Sequence, residues 1–301
     1  MALKISTFKT RALTALVFVA VMLAGLLYNH WTFFLLFSLI HFGCWIEYQR
    51  LIEKIDPQYG EINGFHRYAV MIAGWCIMLY FTNDEFIFIT IRLHALGWWV
   101  GLLFLFLLPL TELLFSKNIS TKNIGYSTFG ILYISLSWGL FVDLYSQSFA
   151  IKDTVDAGAA PLVIHDYAMP LVLIAALWVN DTMAYIVGSL IGKTPLTAIS
   201  PKKTWEGTIG GAVLAVATIT IAMYQITGGK ATWFWIGIAI IAAVFGTIGD
   251  LFESKLKRMA NVKDSGSIMP GHGGFLDRFD SLLFATVFTW IFVQIARPFL
   301  H

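Results

Sequence analysis

Charge is what this sequence has least of. Only 13% of its 301 residues are Asp, Glu, Lys or Arg, too few to give a soluble domain of this length a solvated surface. The formal net charge of +2 is too small to argue for a nucleic-acid partner. Cysteine is nearly absent. Cys44 and Cys76 both fall inside apolar runs and are expected as buried small hydrophobes, not as a disulfide. No hydrophilic stretch is long enough to fold separately, and no fixed-period repeat is present. One membrane domain over 1–301 is expected, with N-terminal spans in 1–165 and spans carrying polar loops in 166–301. Lys4, Lys9 and Arg11 precede an apolar run, as in a signal peptide. No small-residue cleavage site follows, and Trp31 onwards resumes at once as another span, so an uncleaved first helix is expected.

What is present is apolar. Hydrophobic residues make up 58% of the chain and the mean hydropathy is +0.74. Runs of about 20 apolar residues recur, each long enough to cross a bilayer as a helix. The expected class is an all-α polytopic membrane protein with about nine helices, near 12–28, 31–49, 68–82, 95–115, 126–145, 167–191, 207–227, 231–252 and 281–297. Trp31, Trp98, Trp99, Trp233 and Trp235 fall near proposed ends, as an interfacial aromatic belt requires. With nine spans, 16 of the 20 Lys and Arg fall on the side of the N-terminus. The excess of cations on cytoplasmic loops then puts the N-terminus in the cytoplasm and the C-terminus outside. The loop at 192–206 and the segment at 253–280 both face the cytoplasm, where soluble nucleotides are.

Residues 254–280 form the longest polar stretch. Just before it, Asp250, Glu253 and Ser254 stand at i, i+3 and i+4, on one helical face. An acidic residue at the edge of a span points to function. Lys255, Lys257 and Arg258 could attract anionic headgroups. Lys263 is followed directly by Asp264 and a Ser-Gly-Ser turn. Pro270-Gly271-His272-Gly273-Gly274 cannot be regular helix, and its backbone N–H groups could face an anion. Asp277 and Asp280 follow at i, i+3. Carboxylates from the two flanking helices, Asp250 and Asp277, could meet at one point and suit Mg²⁺. Arg278 could clamp a phosphate or pair with a carboxylate.

Two upstream pieces share this character. Asn180-Asp181 interrupts an apolar run and faces either a cavity or a helical partner. Ser200-Pro201-Lys202-Lys203-Thr204-Trp205-Glu206-Gly207 suggests a helix start with Ser200 as N-cap, carrying two lysines that would receive an anion or anchor to headgroups. His41 is expected as a satisfied polar group within its span, and His94 and His165 as loop residues.

The C-terminal half resembles the phosphatidate cytidylyltransferase family. The resemblance is carried by Ser254, Lys257, Arg258, Lys263, Asp264, Gly266, Pro270, His272, Gly273, Gly274, Asp277, Arg278 and Asp280, with Asn180-Asp181, Ser200–Gly207 and Gly249-Asp250 upstream. Met269 departs from the family's usual Leu, Ile or Phe but conserves apolar bulk. Residues 1–165 match only as apolar spans.

The resemblance implies transfer of CMP from CTP to phosphatidate, giving CDP-diacylglycerol and pyrophosphate. It implies Mg²⁺ on Asp250 and Asp277. A monovalent cation could sit beside it on Asp181, Asp264 or Asp280. Lys202, Lys203, Lys263 and Arg278 would cover phosphate charge, and Ser200, Thr204, Gly271, His272, Gly273 and Gly274 would bind CTP. Asn180, Glu206, Ser254, Lys257 and Arg258 would position substrate. CTP, phosphatidate and membrane lipids are the expected partners, a homodimer is allowed, and the expected location is a bacterial inner membrane with the site facing the cytoplasm. Two alternatives stay open: a CTP-dependent enzyme acting on an ether-lipid phosphate or a polyprenol, and an ion-coupled transporter.

Overall fold

In hydrocarbon a chain must satisfy its own backbone, so apolar runs become helices. The computed structural model describes residues 5–115, 120–147, 149–151, 162–267 and 273–300. Among these residues nine long helices follow in order: α1 (Ile5–Leu27), α2 (His30–Ile55), α3 (Gly64–Tyr80), α4 (Leu93–Phe115), α5 (Thr121–Ser146), α6 (Ala168–Ile191), α7 (Trp205–Thr227), α8 (Thr232–Met259) and α9 (Leu276–Ala296). A π-helical segment, Ile131–Leu136, interrupts α5. Two short antiparallel hairpins, β1 (Ile87–Phe88) with β2 (Ile91–Arg92) and β3 (Phe149–Ile151) with β4 (Leu162–Ile164), complete the elements. The protein is all-α, and α2 and α4 to α9 are long and apolar enough to cross a membrane. In α1 the apolar part is Leu13–Leu27, and α3 has 17 residues.

Several expectations need correction. Ser200-Pro201 does not start a helix. The N-cap of α7 is Thr204, whose hydroxyl accepts the Gly207 N–H at 3.1 Å. The run ending near 252 continues as helix to Met259, so Ser254, Lys257 and Arg258 are helical. The last helix begins at Leu276, not near 281. His94 lies in the first turn of α4. Trp235 is fully buried and is a core residue, not a belt anchor. Cys44 and Cys76 are buried and free.

The chain divides into two compact units. The first comprises residues 1–142 and 256–279. Its core is organised around buried Ser135. The Ser135 hydroxyl lies 2.9 Å from His41 Nε2 and receives the Trp45 indole N–H at 2.8 Å, joining α2 to α5. From α3, Gly74 leaves room for that hydroxyl, since an added Cβ would lie 2.1 Å from Ser135 Oγ. A second cluster joins α3, α4 and α5: His66 Nδ1 meets Glu112 at 2.9 Å and Nε2 meets the Ser127 hydroxyl at 2.9 Å.

The second unit comprises residues 143–255 and 280–301. Here α6 and α7 approach unusually closely. Ala184 and Gly188 on one side meet Gly207 and Gly211 on the other, and Gly192 faces Thr204. A Cβ at Gly211 would lie 2.5 Å from the Ala184 nitrogen, and one at Gly207 would lie 2.8 Å from the Ala184 carbonyl oxygen. Small residues at a four-residue spacing are what let two membrane helices touch backbone to backbone. Between α8 and α9, Phe245 stacks on Phe288 at 3.6 Å, and Gly249 faces the Asp280 carbonyl oxygen, 2.6 Å from where a Cβ would stand.

Gly211→Leu is therefore expected to force α6 and α7 apart at a cost of about 1–3 kcal/mol, read as a lowered unfolding temperature in detergent. Gly125 has open space around its Cβ position, so Gly125→Ala serves as the control and should not lower it. Equal unfolding temperatures for Gly211→Leu and the wild type would contradict this packing.

Candidate active site

The close contact of α6 with α7 shapes a cavity of about 430 Å³ in the second unit. Its wall takes Asn180 and Asp181 from α6, Ser200, Lys202, Lys203 and Thr204 from the α6–α7 connection, and Asp250 from α8. All seven were expected at a site from sequence, and the fold brings them to one place. Tyr185, Ser189, Thr208 and Thr247 also line it.

An ion pair lies on the cavity wall. Lys203 Nζ forms an ion pair with Asp250 Oδ2, while Asp250 Oδ1 accepts the Ser254 hydroxyl at 3.3 Å, the i, i+4 contact expected of that face. Asn180 is almost fully buried, and its Oδ1 has no partner among the described residues. A carbonyl oxygen left so is costly unless something donates to it.

Glu206 braces the loop that carries the lysines. Its carboxylate accepts the backbone N–H groups of Lys193 and Thr194 at 3.2 Å and the Thr194 hydroxyl at 2.8 Å. It thus ties the start of the α6–α7 connection to the first turn of α7. The return strand is held by Trp205 N–H to the Thr194 carbonyl and Leu196 N–H to the Lys203 carbonyl, at 2.9 and 2.7 Å. Lys202 and Lys203 are presented from this braced loop, not from a helix N-terminus.

The first unit holds the other group of expected residues, and Asp277 is its hub. Asp277 Oδ1 accepts from Lys257 Nζ at 2.6 Å. Its Oδ2 accepts the backbone N–H groups of Ser265 and Gly274, each at 2.8 Å, and lies 2.9 Å from the Ser265 hydroxyl. Lys257 therefore serves a carboxylate, not only a headgroup. The Gly274 N–H was expected to face an anion in solution, but it is committed to Asp277. Gly273 has φ of +85°, which its lack of a Cβ allows. Gly271 and His272 lie outside the described residues. Lys263, Asp264 and Arg278 are exposed. Arg258, also exposed, donates to the Val262 carbonyl at 3.1 Å, where the end of α8 turns through Asn261 at φ of +56°. Asp280, in the second unit, is buried and accepts the Ser281 N–H at 2.6 Å.

One residue of this network went unnoticed in the sequence. Glu47 of α2 is 2% exposed. It accepts the Ser265 hydroxyl at 2.7 Å and the Phe275 and Leu276 N–H groups at 2.9 Å each. The signal for it was there: an acidic residue set within the apolar run of α2.

Can a metal be held? The donors on the cavity wall are carboxylate, amide and hydroxyl oxygens, the hard set that Mg²⁺ prefers and that soft metals do not. Among the described residues no three His, Cys, Asp or Glu side chains gather as a closed cage. A metal here would have to complete its shell from phosphate and water, which Mg²⁺ commonly does.

Known proteins of similar sequence point to one family. The sequence profile of the cytidylyltransferase family matches residues 9–296. A phosphatidate cytidylyltransferase from Bacillus subtilis (strain 168) is 36% identical over 197 residues, covering 64% of this chain and 67% of that protein. Phosphatidate cytidylyltransferases from Staphylococcus saprophyticus and Staphylococcus aureus (strain COL) are 49% and 46% identical over 108 residues, covering 36% of this chain and 42% of each of theirs. With the family's profile spanning nearly its whole length, the chain belongs to the cytidylyltransferase family.

Proposed function

We propose that the chain is an integral membrane phosphatidate cytidylyltransferase, converting CTP and phosphatidate to CDP-diacylglycerol and pyrophosphate. The observation that carries this reading is the 430 Å³ cavity, where Lys202, Lys203, Asp250, Asn180 and Asp181 converge. In the reaction a phosphate oxygen of phosphatidate bonds to the α-phosphorus of CTP. The bond from that phosphorus to the bridging oxygen breaks, and the electron pair leaves on pyrophosphate. Both reactants are anions, so charge neutralisation and positioning are the main tasks. A phosphate monoester is already ionised near neutral pH, so no strong general base is needed. Lys202 and Lys203 are suited to the triphosphate. Asn180 Oδ1 offers an acceptor for a donor on the nucleotide or lipid headgroup.

Mg²⁺ is proposed as the cofactor, with Asp250 and Asp277 as its protein ligands; when bound it would neutralise triphosphate charge and polarise the α-phosphoryl group. Asp250 supports this by its place on an oxygen-rich wall; for Asp277 the support is the family resemblance. A monovalent cation near Asp181, Asp264 or Asp280 remains part of the proposal. Lys263, Arg278, Gly271, His272 and Gly273 are assigned to phosphate by resemblance alone.

The proposed topology has nine spans, counting α1 and α3 with the seven longer helices. The N-terminus is cytoplasmic and the C-terminus outside, in a bacterial inner membrane. The support is the distribution of Lys and Arg, 16 of 20 of which then face the cytoplasm. Residues 192–204 and 260–275 face the same side, so CTP would enter from the cytoplasm and the lipid laterally between helices.

Purified protein with CTP, phosphatidate and Mg²⁺ should form CDP-diacylglycerol, and EDTA should stop it. Asp250→Asn and Asp277→Asn should each slow turnover by about 10²-fold or more, as loss of one charge-stabilising group does. Near wild-type turnover in both would remove the metal assignment.

For topology, a thiol reagent that cannot cross membranes should label Lys230→Cys in intact cells and Lys202→Cys only after permeabilisation. The reverse pattern would invert the orientation.

A further inference from the structure

We propose that Glu47 is a positioning residue for the reaction, acting through Ser265 and the start of α9 on Asp277; this rests on the activity proposed above. A carboxylate at 2% exposure within an apolar helix is expensive to bury unless donors surround it. All its observed partners are donors: two backbone N–H groups and one hydroxyl. The Phe275 and Leu276 N–H groups lie at the N-terminus of α9, where helix amides have no carbonyl of their own to serve and where negative charge is favoured. Glu47 supplies the cap from another helix.

The contacts hold the residues that position Asp277. Phe275 and Leu276 directly precede it, and Ser265 donates to it. Ser265 also touches both carboxylates, 2.7 Å from Glu47 and 2.9 Å from Asp277. Two glycines of the polar stretch are explained by the same residue. A Cβ at Gly266 would lie 2.2 Å from Glu47 Oε1, and one at Gly274 would lie 2.2 Å from Glu47 Oε2. Neither has the positive φ that would otherwise demand glycine. They keep space for the approach of the carboxylate. Replacing one Glu47 oxygen by an amide NH₂ would set donor against donor at nearly unchanged volume.

The test compares wild type, Glu47→Gln and Ser265→Ala in detergent or nanodiscs. The first readout is amide hydrogen exchange. In Glu47→Gln, peptides covering Ser265 and residues 273–277 should exchange about tenfold faster or more, as local opening becomes easier, while peptides covering 193–207 keep wild-type protection. The second readout is kinetic. The Mg²⁺ concentration for half-maximal rate should rise by about 10–100-fold, the usual cost of losing a group that orients a metal ligand; simple loss of folded protein would lower the rate without moving it. Ser265→Ala removes the one hydroxyl that lies between the two carboxylates and should shift both readouts in the same direction, so the outcome does not depend on Glu47→Gln folding. A wild type that makes no CDP-diacylglycerol would overturn the activity, while the exchange measurement would still decide whether Glu47 holds the segment. Wild-type exchange at 265 and 273–277 in the variants, or an unmoved Mg²⁺ dependence, overturns the proposal.

Discussion

A carboxylate inside an apolar helix must be enclosed by hydrogen-bond donors, and in the first unit that requirement organises everything around it. Glu47 finds its donors in Ser265, Phe275 and Leu276. To deliver them, the polar segment must fold back against α2, which needs glycine at 266 and 274. Ser265, once placed, turns its N–H toward Asp277. The Gly274 N–H does the same. The direction of the Asp277 carboxylate thus follows from a residue far from it in sequence. Removing one buried partner of such a network costs more than the bond is worth, because the groups left behind stay dry.

The second unit meets a different constraint with different means. Its cavity exists because α6 and α7 touch through glycine and alanine, leaving the side chains of Asn180, Asp181 and Thr208 along one edge of the contact. The loop joining the two helices carries the lysines, and Glu206 pins it at its root. A loop held this way presents both lysines from a braced backbone without burying either. Close helix packing and loop bracing therefore belong to one design: the first makes the hollow and the second furnishes its wall.

The helices and most of the cavity were legible in the sequence because each signal is local. Apolar runs report spans, and Asn180-Asp181 or Asp250 stand out against them. Lys202 and Lys203 were legible as an anion site, but their setting was not. Ser200-Pro201 has the form of a helix start, yet Thr204 takes the cap because its hydroxyl reaches Gly207 while Glu206 turns back to the loop. The Gly207–Gly211 spacing was open to reading as a packing stripe; it takes its meaning only with Ala184 and Gly188 opposite. The role of Glu47 was illegible for a stronger reason. Its partners lie more than 200 positions away, and no pattern within α2 announces them.

The carboxylates within the helices separate into kinds by what holds them. Glu47 is saturated by a hydroxyl and backbone N–H groups, and Asp143 by the Trp290 and Gln147 side chains. Such donors sit on fixed backbone or packed side chains and cannot swing away, so these acids fasten the fold. Asp250 is held instead by the ammonium of Lys203, and both side chains remain about a quarter exposed. A lysine reaches along a flexible four-carbon stem, and it can exchange one anion for another at small cost. Asp277 combines both: one oxygen is locked by Ser265 and Gly274, the other faces the Lys257 ammonium. The acids of these helices thus divide into those held by backbone and packed side chains and those paired with a lysine.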